Sequence, residues 1–349
     1  MNNIIFITRY YGEMLGGTVC SQRNRKSLEQ IFDNLFEYKI IDKKRGRLLL
    51  SRAEQLCFGY MGGIDCIDIQ RVKHIILNKN CNYAFIDSSL LGSFAKILRQ
   101  VSPKIKIICF FHNCEYMYIN SIYKGIKRSL YSKWAFKCER QACKYADTLI
   151  ALNERDSQLI TNLYQRKPEL CIPISIEDKT TRLYGQNGDK YILFVGSYFQ
   201  PNIVGIQWFM KEVLPAISVK LKIVGRNMNL LQVPAGVKEK VEIISNAEDL
   251  SPYYQNAQLV VMPIFTGGGM KVKTAEALMY GKTIIGTKEA FEGYKLNAPI
   301  FYLCQTNEEF IKTISSLYEK TPSFNKSSRE LFLSEYSFEA TLALFRKIK

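Results

Sequence analysis

Short apolar runs that end in turn-forming residues alternate along this chain with stretches whose apolar positions recur at helical spacing. NNIIFIT (2–8) opens into RYYGEMLGGTVCSQRNRKSLEQIF, where glycines precede helical spacing, so strand, loop and helix are predicted. YAFIDSSLLGSFAKILR (83–99) repeats the order, with Asp87, Ser88 and Ser89 as turn and cap. KIKIICFFHN (104–113) predicts a buried strand ending at His112, and ADTLIALNERDSQLI (146–160) a strand followed by a helix capped near Asn153. Such alternation requires crossover connections and therefore a mostly parallel sheet.

Between 161 and 190 the pattern lapses into a stretch with prolines, glycines and few long apolar periods. It then restarts. YILFVGS (191–197), LKIVGR (221–226), VEIIS (241–245), LVVMPI (259–264), TIIGT (283–287) and IFYLC (300–304) are predicted strands, with NIVGIQWFMKEVLPAI (202–217) and DLSPYYQNA (249–257) as helices between them. The last stretch predicts a helix broken near Tyr336 and Ser337. The expected architecture is α/β, two Rossmann-like doubly wound domains. Its divisions are 1–172, a linker 173–190, a second domain 191–325, and a terminal helix 326–349 packing back toward the first domain. A length of 349 residues agrees with two cores, since single cores stop growing at roughly 250–300 residues.

The segment PIFTGGGMKVKTAEALMYGKTIIGT (263–287) carries the most chemistry. A predicted strand leads through Gly267, Gly268 and Gly269 into a predicted helix ending at Gly281. In an open parallel sheet, ligands bind beyond the carboxyl ends of strands, at helix N-termini. Glycines there let backbone N–H groups approach an anion, and Lys271 and Lys273 add point charges suited to a diphosphate. Glu276 makes sense one to two turns on if it accepts hydrogen bonds from two ribose hydroxyls. The same residues also fit a plain flexible turn, with Glu276 a solvated helix residue paired to Lys273. The segment is neither the phosphate loop of NTPases nor the G-x-G-x-x-G dinucleotide fingerprint.

Composition narrows the classes. The ten cysteines show no C-x-x-C pair and no histidine cluster, and several sit in apolar runs, as Cys109 does, so free thiols in a reducing cytosol are expected. The opening residues lack the basic and long apolar regions of a secretory signal, and no window reaches the ~20 apolar residues of a membrane span. Net charge is +16, and residues 1–175 hold 27 Lys and Arg against 15 Asp and Glu, while 176–349 hold 21 against 17. Such a first half is drawn to nucleic acid, anionic lipid or an acidic substrate, unless its lysines are simply solvated. Residues 116–144 interleave Tyr, Trp and Phe with Lys and Arg, which suits either a bilayer surface or a core-packed helix with a basic face. His74 reads as an ordinary helix residue, and Glu115 as a cap or an acceptor contact.

The second half, from ILFVGSYFQPNIVGIQWFMKEVLP through GGGMKVKTAEALMYGKTIIGTKEAFEG, resembles the donor-binding domain of GT-B glycosyltransferases of the large retaining family 4 group. YGEMLGGT, FFHN and ADTLIALNERD resemble the family's first domain more loosely. The resemblance implies transfer of a sugar, with retained configuration, from a nucleoside diphosphate-sugar (UDP- or GDP-linked) in a cleft between two domains. It implies no resident cofactor and no required metal; the absence of a D-x-D pair agrees. By position, Glu276 would bind ribose, Gly267, Gly268, Gly269 and Met270 would line the diphosphate and sugar, and Lys271 and Lys273 would neutralise the leaving diphosphate. Gly196 and Arg226 would flank the nucleotide, His112 would contact the donor sugar, and Gly16 and Gly17 would lie near phosphate and acceptor. The family's first glutamate is replaced by Gly268, eight residues before Glu276, and the arginine of the first donor-domain loop is missing from GSYFQPNI.

The function so implied is bacterial surface polysaccharide assembly on a glycan or lipid-linked glycan acceptor. The protein would be cytoplasmic, with its basic half against the inner membrane face and nucleic acid not its partner. A UDP-sugar epimerase on the same fold, or a binding protein for nucleic acid or anionic lipid, are the alternatives.

Overall fold

The computed structural model describes residues 1–9, 16–41, 45–180, 190–297 and 299–349. By its contacts the chain divides into Met1–Pro173 with Thr341–Lys349, and Ile174–Ala340. Each unit is built on a six-stranded sheet in which all pairs are parallel.

The first unit contains β1 (Asn3–Arg9), β2 (Asn34–Ile40), β3 (Tyr83–Ile86), β4 (Lys106–Phe111), β5 (Thr148–Ala151) and β6 (Leu170–Cys171), in the spatial order β2-β1-β3-β4-β5-β6. Ile4 to Ile7, Ala84 to Ile86 and Ile107 to Phe111 are buried, because helices cover both faces of the sheet. The stretch 116–144 falls into two helices, Glu115–Ile122 and Gly125–Tyr145, with residues 121–130 all exposed around the joint. Phe345, from the last residues of the chain, lies 6.4 Å from Phe85, and Lys349 donates to the Ile31 carbonyl at 3.0 Å.

The second unit contains β7 (Ile192–Val195), β8 (Leu221–Gly225), β9 (Val241–Ser245), β10 (Leu259–Met262), β11 (Ile284–Gly286) and β12 (Phe301–Leu303), ordered β12-β11-β10-β7-β8-β9. The order reverses between β7 and β10, which places a crevice at their carboxyl ends, the position where such sheets bind ligands. Gly225 has φ +154°, and a Cβ there would lie 1.9 Å from the Gly196 carbonyl oxygen, so bare backbone is required where these two strand ends meet.

Some boundaries differ from the periodicity. The helix expected over 202–217 begins at Gln200, with Pro201 in its first turn, and ends at Glu212 before a short turn. β10 stops at Met262, because Pro263 offers no N–H to a ladder. The terminal stretch is a helix (Lys326–Leu331), a π-turn (Phe332–Tyr336) and a second helix (Phe338–Phe345). Thr341 onward groups with the first unit and the residues before it with the second.

Candidate active site

In the second unit the loop after β10 leads into the helix Val272–Met279. Gly267 (φ +153°) and Gly269 (φ +58°) adopt backbone conformations that side-chain-bearing residues avoid, which folds the loop back over Lys271. The Lys271 ammonium donates to the carbonyls of Gly268 (3.3 Å) and Gly269 (2.9 Å) and to Glu289 Oε1 (2.8 Å). Two clamps fix the helix start: Tyr294 Oη donates to the Lys271 carbonyl at 2.8 Å, and Thr274 Oγ1 to the Ala290 carbonyl at 3.0 Å.

Lys273 turns from the first turn of that helix toward β7. Its ammonium donates to Asn202 Oδ1 at 2.6 Å and lies 4.9 Å from the Phe194 ring centre, and a Cβ on Gly196 would come within 3.0 Å of it. Burial pushes the ammonium down to about 7; Glu276 opposes the shift and Lys271 adds to it. Glu276 accepts from Tyr254 Oη at 3.1 Å, and burial raises its carboxyl above the ordinary range against the pull of Tyr254 and Lys273. Tyr254 is fully buried and stacked on Tyr280, with ring centres 5.2 Å apart.

Gly196, Gly267 to Gly269, Lys271, Lys273 and Glu276 thus gather at one end of the second sheet. Arg226 follows β8, exposed and with no side-chain partner among the described residues, while its carbonyl accepts from the Tyr198 N–H at 2.9 Å. Met270 is buried, its sulfur accepting the Ile174 N–H at 3.4 Å, so only its backbone is left for a ligand. No local sequence pattern marks Asn202, Tyr254 or Glu289, because each reaches the site from another element.

The first unit holds a separate polar cluster where β1, β3 and β4 end. His112 Nε2 donates to the Asp87 carbonyl at 2.9 Å and lies 3.6 Å from its carboxylate, which accepts from Thr8 Oγ1 (3.0 Å) and Asn24 Nδ2 (2.7 Å). Arg23 donates to Cys20 Sγ at 3.3 Å and to the Pro173 carbonyl at 2.7 Å. Burial alone would lower the His112 imidazole, but Cys20 and Asp87 outweigh it and hold the ring protonated above its ordinary range. Gly16 opens the helix Gly16–Ile31, and among the described residues nothing lies within 4 Å of a Cβ on Gly17. The rest of the glycine loop expected there, residues 11–15, lies outside the described residues. Glu139, wholly buried, accepts from the N–H groups of Glu115 (2.8 Å) and Tyr116 (3.2 Å) and so caps the helix that follows His112. His74 sits in the helix Cys66–Asn78.

A parallel sheet pair with cations and bare backbone at a strand-order reversal defines a class, the GT-B fold. Residues 189–320 match the family model Glycosyl transferases group 1. The matched residues lie in the second unit, and each of the two units carries a Rossmann-like parallel sheet. Over 99% of both chains it is similar to Anabaena HepE in complex with UDP (TM-score 0.70, 12% identity). It is also similar, over 99% of its own length and 98% of the other's, to the apo form of the lipopolysaccharide outer core galactosyltransferase WaaB (TM-score 0.64, 13% identity). An uncharacterized 44.6 kDa protein in the cps region of Klebsiella pneumoniae is 25% identical over 258 residues. That match covers 65% of this chain and 62% of the relative.

Proposed function

We propose that the protein is a retaining glycosyltransferase that moves a hexosyl group from a UDP- or GDP-sugar to a glycan or lipid-linked glycan in bacterial surface polysaccharide synthesis. The observation that carries this reading is the pair Lys271 and Lys273 at the start of a helix behind three glycines, with Glu276 on the same helix. A HepE structure with UDP and glucose favours a uridine donor, and the cps-region relative favours a polysaccharide pathway.

In this reading Glu276, steadied by Tyr254, accepts from the ribose hydroxyls. Lys271, Lys273 and the loop amides receive the diphosphate. The bond between the anomeric carbon and the β-phosphate oxygen breaks, the acceptor hydroxyl oxygen bonds that carbon on the same face, and the hydroxyl proton passes to the departing phosphate. Charge growing on the diphosphate meets preorganised donors, which is where catalysis is won. The two lysines supply the charge that a divalent cation supplies elsewhere, so turnover is expected to persist in EDTA. His112 is assigned a contact with the donor sugar, and Arg226 one with the nucleotide.

The exposed helical joint at 121–130 favours an inner-membrane acceptor. Ile122, Tyr123, Ile126 and Leu130 lie beside Lys124, Lys127 and Arg128, and Ile126 is 87% exposed. No acid occurs between Glu115 and Glu139. Apolar and cationic side chains interleaved in this way suit an anionic bilayer surface. No helix among the described residues is long and apolar enough to cross a membrane. The decisive assay follows nucleotide release and product configuration with UDP- and GDP-sugars. Glycoside formed with the donor's configuration supports the reading; an epimerised nucleotide sugar without transfer refutes it.

A further inference from the structure

We propose that Glu289 supplies the carboxylate that accepts the donor sugar's hydroxyls at the glycine loop, with Lys271 as its counter-ion; this rests on the donor site assigned above. A sugar joined to a β-phosphate presents several hydroxyls beside that phosphate, and each needs an acceptor. Loop N–H groups and lysine ammoniums only donate, and the Gly268 and Gly269 carbonyls already accept from Lys271. Gly268 brings no side chain, and Glu276 is engaged by Tyr254 further along the helix. Glu289 fills that gap from outside the segment.

Its position is fixed. Glu289 opens the turn Glu289–Phe291 after β11, the strand next to β10, so both strand ends face the same edge. Its carboxylate would lie 3.6 Å from a Cβ on Gly267, and it takes the Lys271 ammonium at 2.8 Å, with the two side chains only 18% and 14% exposed. The turn is tied to the helix through Thr274 and the Ala290 carbonyl, and to the end of β10 through Thr287 Oγ1 and the Ile264 carbonyl. An acid this close to a diphosphate is electrostatically costly. It becomes tolerable when a lysine shares its charge and sugar hydroxyls occupy its remaining lone pairs.

The experiment compares wild type, Glu289→Gln and Glu289→Ala by calorimetric titration with UDP, GDP, UDP-glucose, UDP-galactose, UDP-N-acetylglucosamine and GDP-mannose. For the nucleotide that binds, the ratio of sugar-nucleotide to nucleotide affinity is the readout. The variants are expected to bind the bare nucleotide as well as wild type or better, since Lys271 is freed. They are expected to lose about 10- to 100-fold for the sugar-nucleotide, the scale of one lost hydrogen bond to a charged group, along with the ranking among sugars. An unchanged ratio, or equal loss of nucleotide and sugar-nucleotide, overturns the role of Glu289 and leaves the donor site standing. Wild type that binds no nucleotide overturns the donor site, and this inference with it.

Discussion

Two lysines bracket the helix Val272–Met279, and the contrast between them separates a structural cation from a waiting one. Lys282, just past the C-terminal end, has no exposed surface and donates to three carbonyls, Gln255 (3.0 Å), Ala257 (2.9 Å) and Ser323 (2.6 Å). The negative end of the helix dipole is beside it. Lys273, in the first turn, faces the positive end, has Lys271 nearby and donates to a single amide oxygen. Burial brings both ammoniums down to about 7, but only Lys282 has the acceptors that answer for its charge. Burial opposes the Lys273 charge and Glu276 offsets it only in part, so in the proposed reading the ammonium is completed by an anion that arrives later, and a diphosphate is such an anion.

The largest effect that sharpens this contrast is on turnover. Lys273→Met is expected to lower kcat/KM by about 10²- to 10³-fold, as loss of one preorganised donor does, while thermal unfolding shifts upward or not at all. Lys282→Met is expected to behave in the opposite sense. Three orphaned carbonyls should lower stability by about 3 kcal/mol, read by urea denaturation, with turnover of the folded fraction within a few-fold of wild type. If both variants lose stability alike, the distinction is wrong.

The next effect is on pH dependence. Each ammonium titrates near 7 in the folded chain and near the ordinary lysine value, 10.5, when unfolded. Between those limits the unfolded chain binds more protons, so stability contributed by these groups rises with pH across that window and is lowest below 7. Lys273→Met should flatten part of the rise in urea midpoints measured from pH 7 to 9.5, and Lys282→Met another part. Smallest of the three is Tyr254→Phe, which removes one donor from Glu276. It should weaken nucleoside diphosphate binding by roughly 1 kcal/mol and leave affinity for inorganic diphosphate unchanged.

The sheets were legible because their strands are uninterrupted apolar runs, buried on both faces. β2 carries no such signal: as an edge strand, NLFEYKI is mostly half-exposed and shows neither a run nor a clean alternation. The helix Cys66–Asn78 did carry a signal, the reciprocal cap of Asp65 and Asp68, in a stretch where nothing else drew attention to it. Lys271, Lys273 and Glu276 could be singled out because one segment carries them all. Their partners could not be. Asn202 meets Lys273 across 71 residues, Tyr254 meets Glu276 across 22 and Glu289 meets Lys271 across 18, and each pairing depends on which strands lie side by side. His112 was legible as a strand end, but its ties to Asp87 depend on β3 lying beside β4.

The most direct test of the waiting cation is calorimetric titration of UDP and GDP at pH 8 in two buffers of different ionisation enthalpy. At that pH Lys273 is mostly neutral, so a diphosphate that recruits it must bring a proton with it. Wild type is predicted to take up close to one proton per nucleotide bound, with affinity falling as pH rises further, and Lys273→Met to bind weakly with no uptake. Tight binding without proton uptake, unchanged in Lys273→Met, would contradict the account.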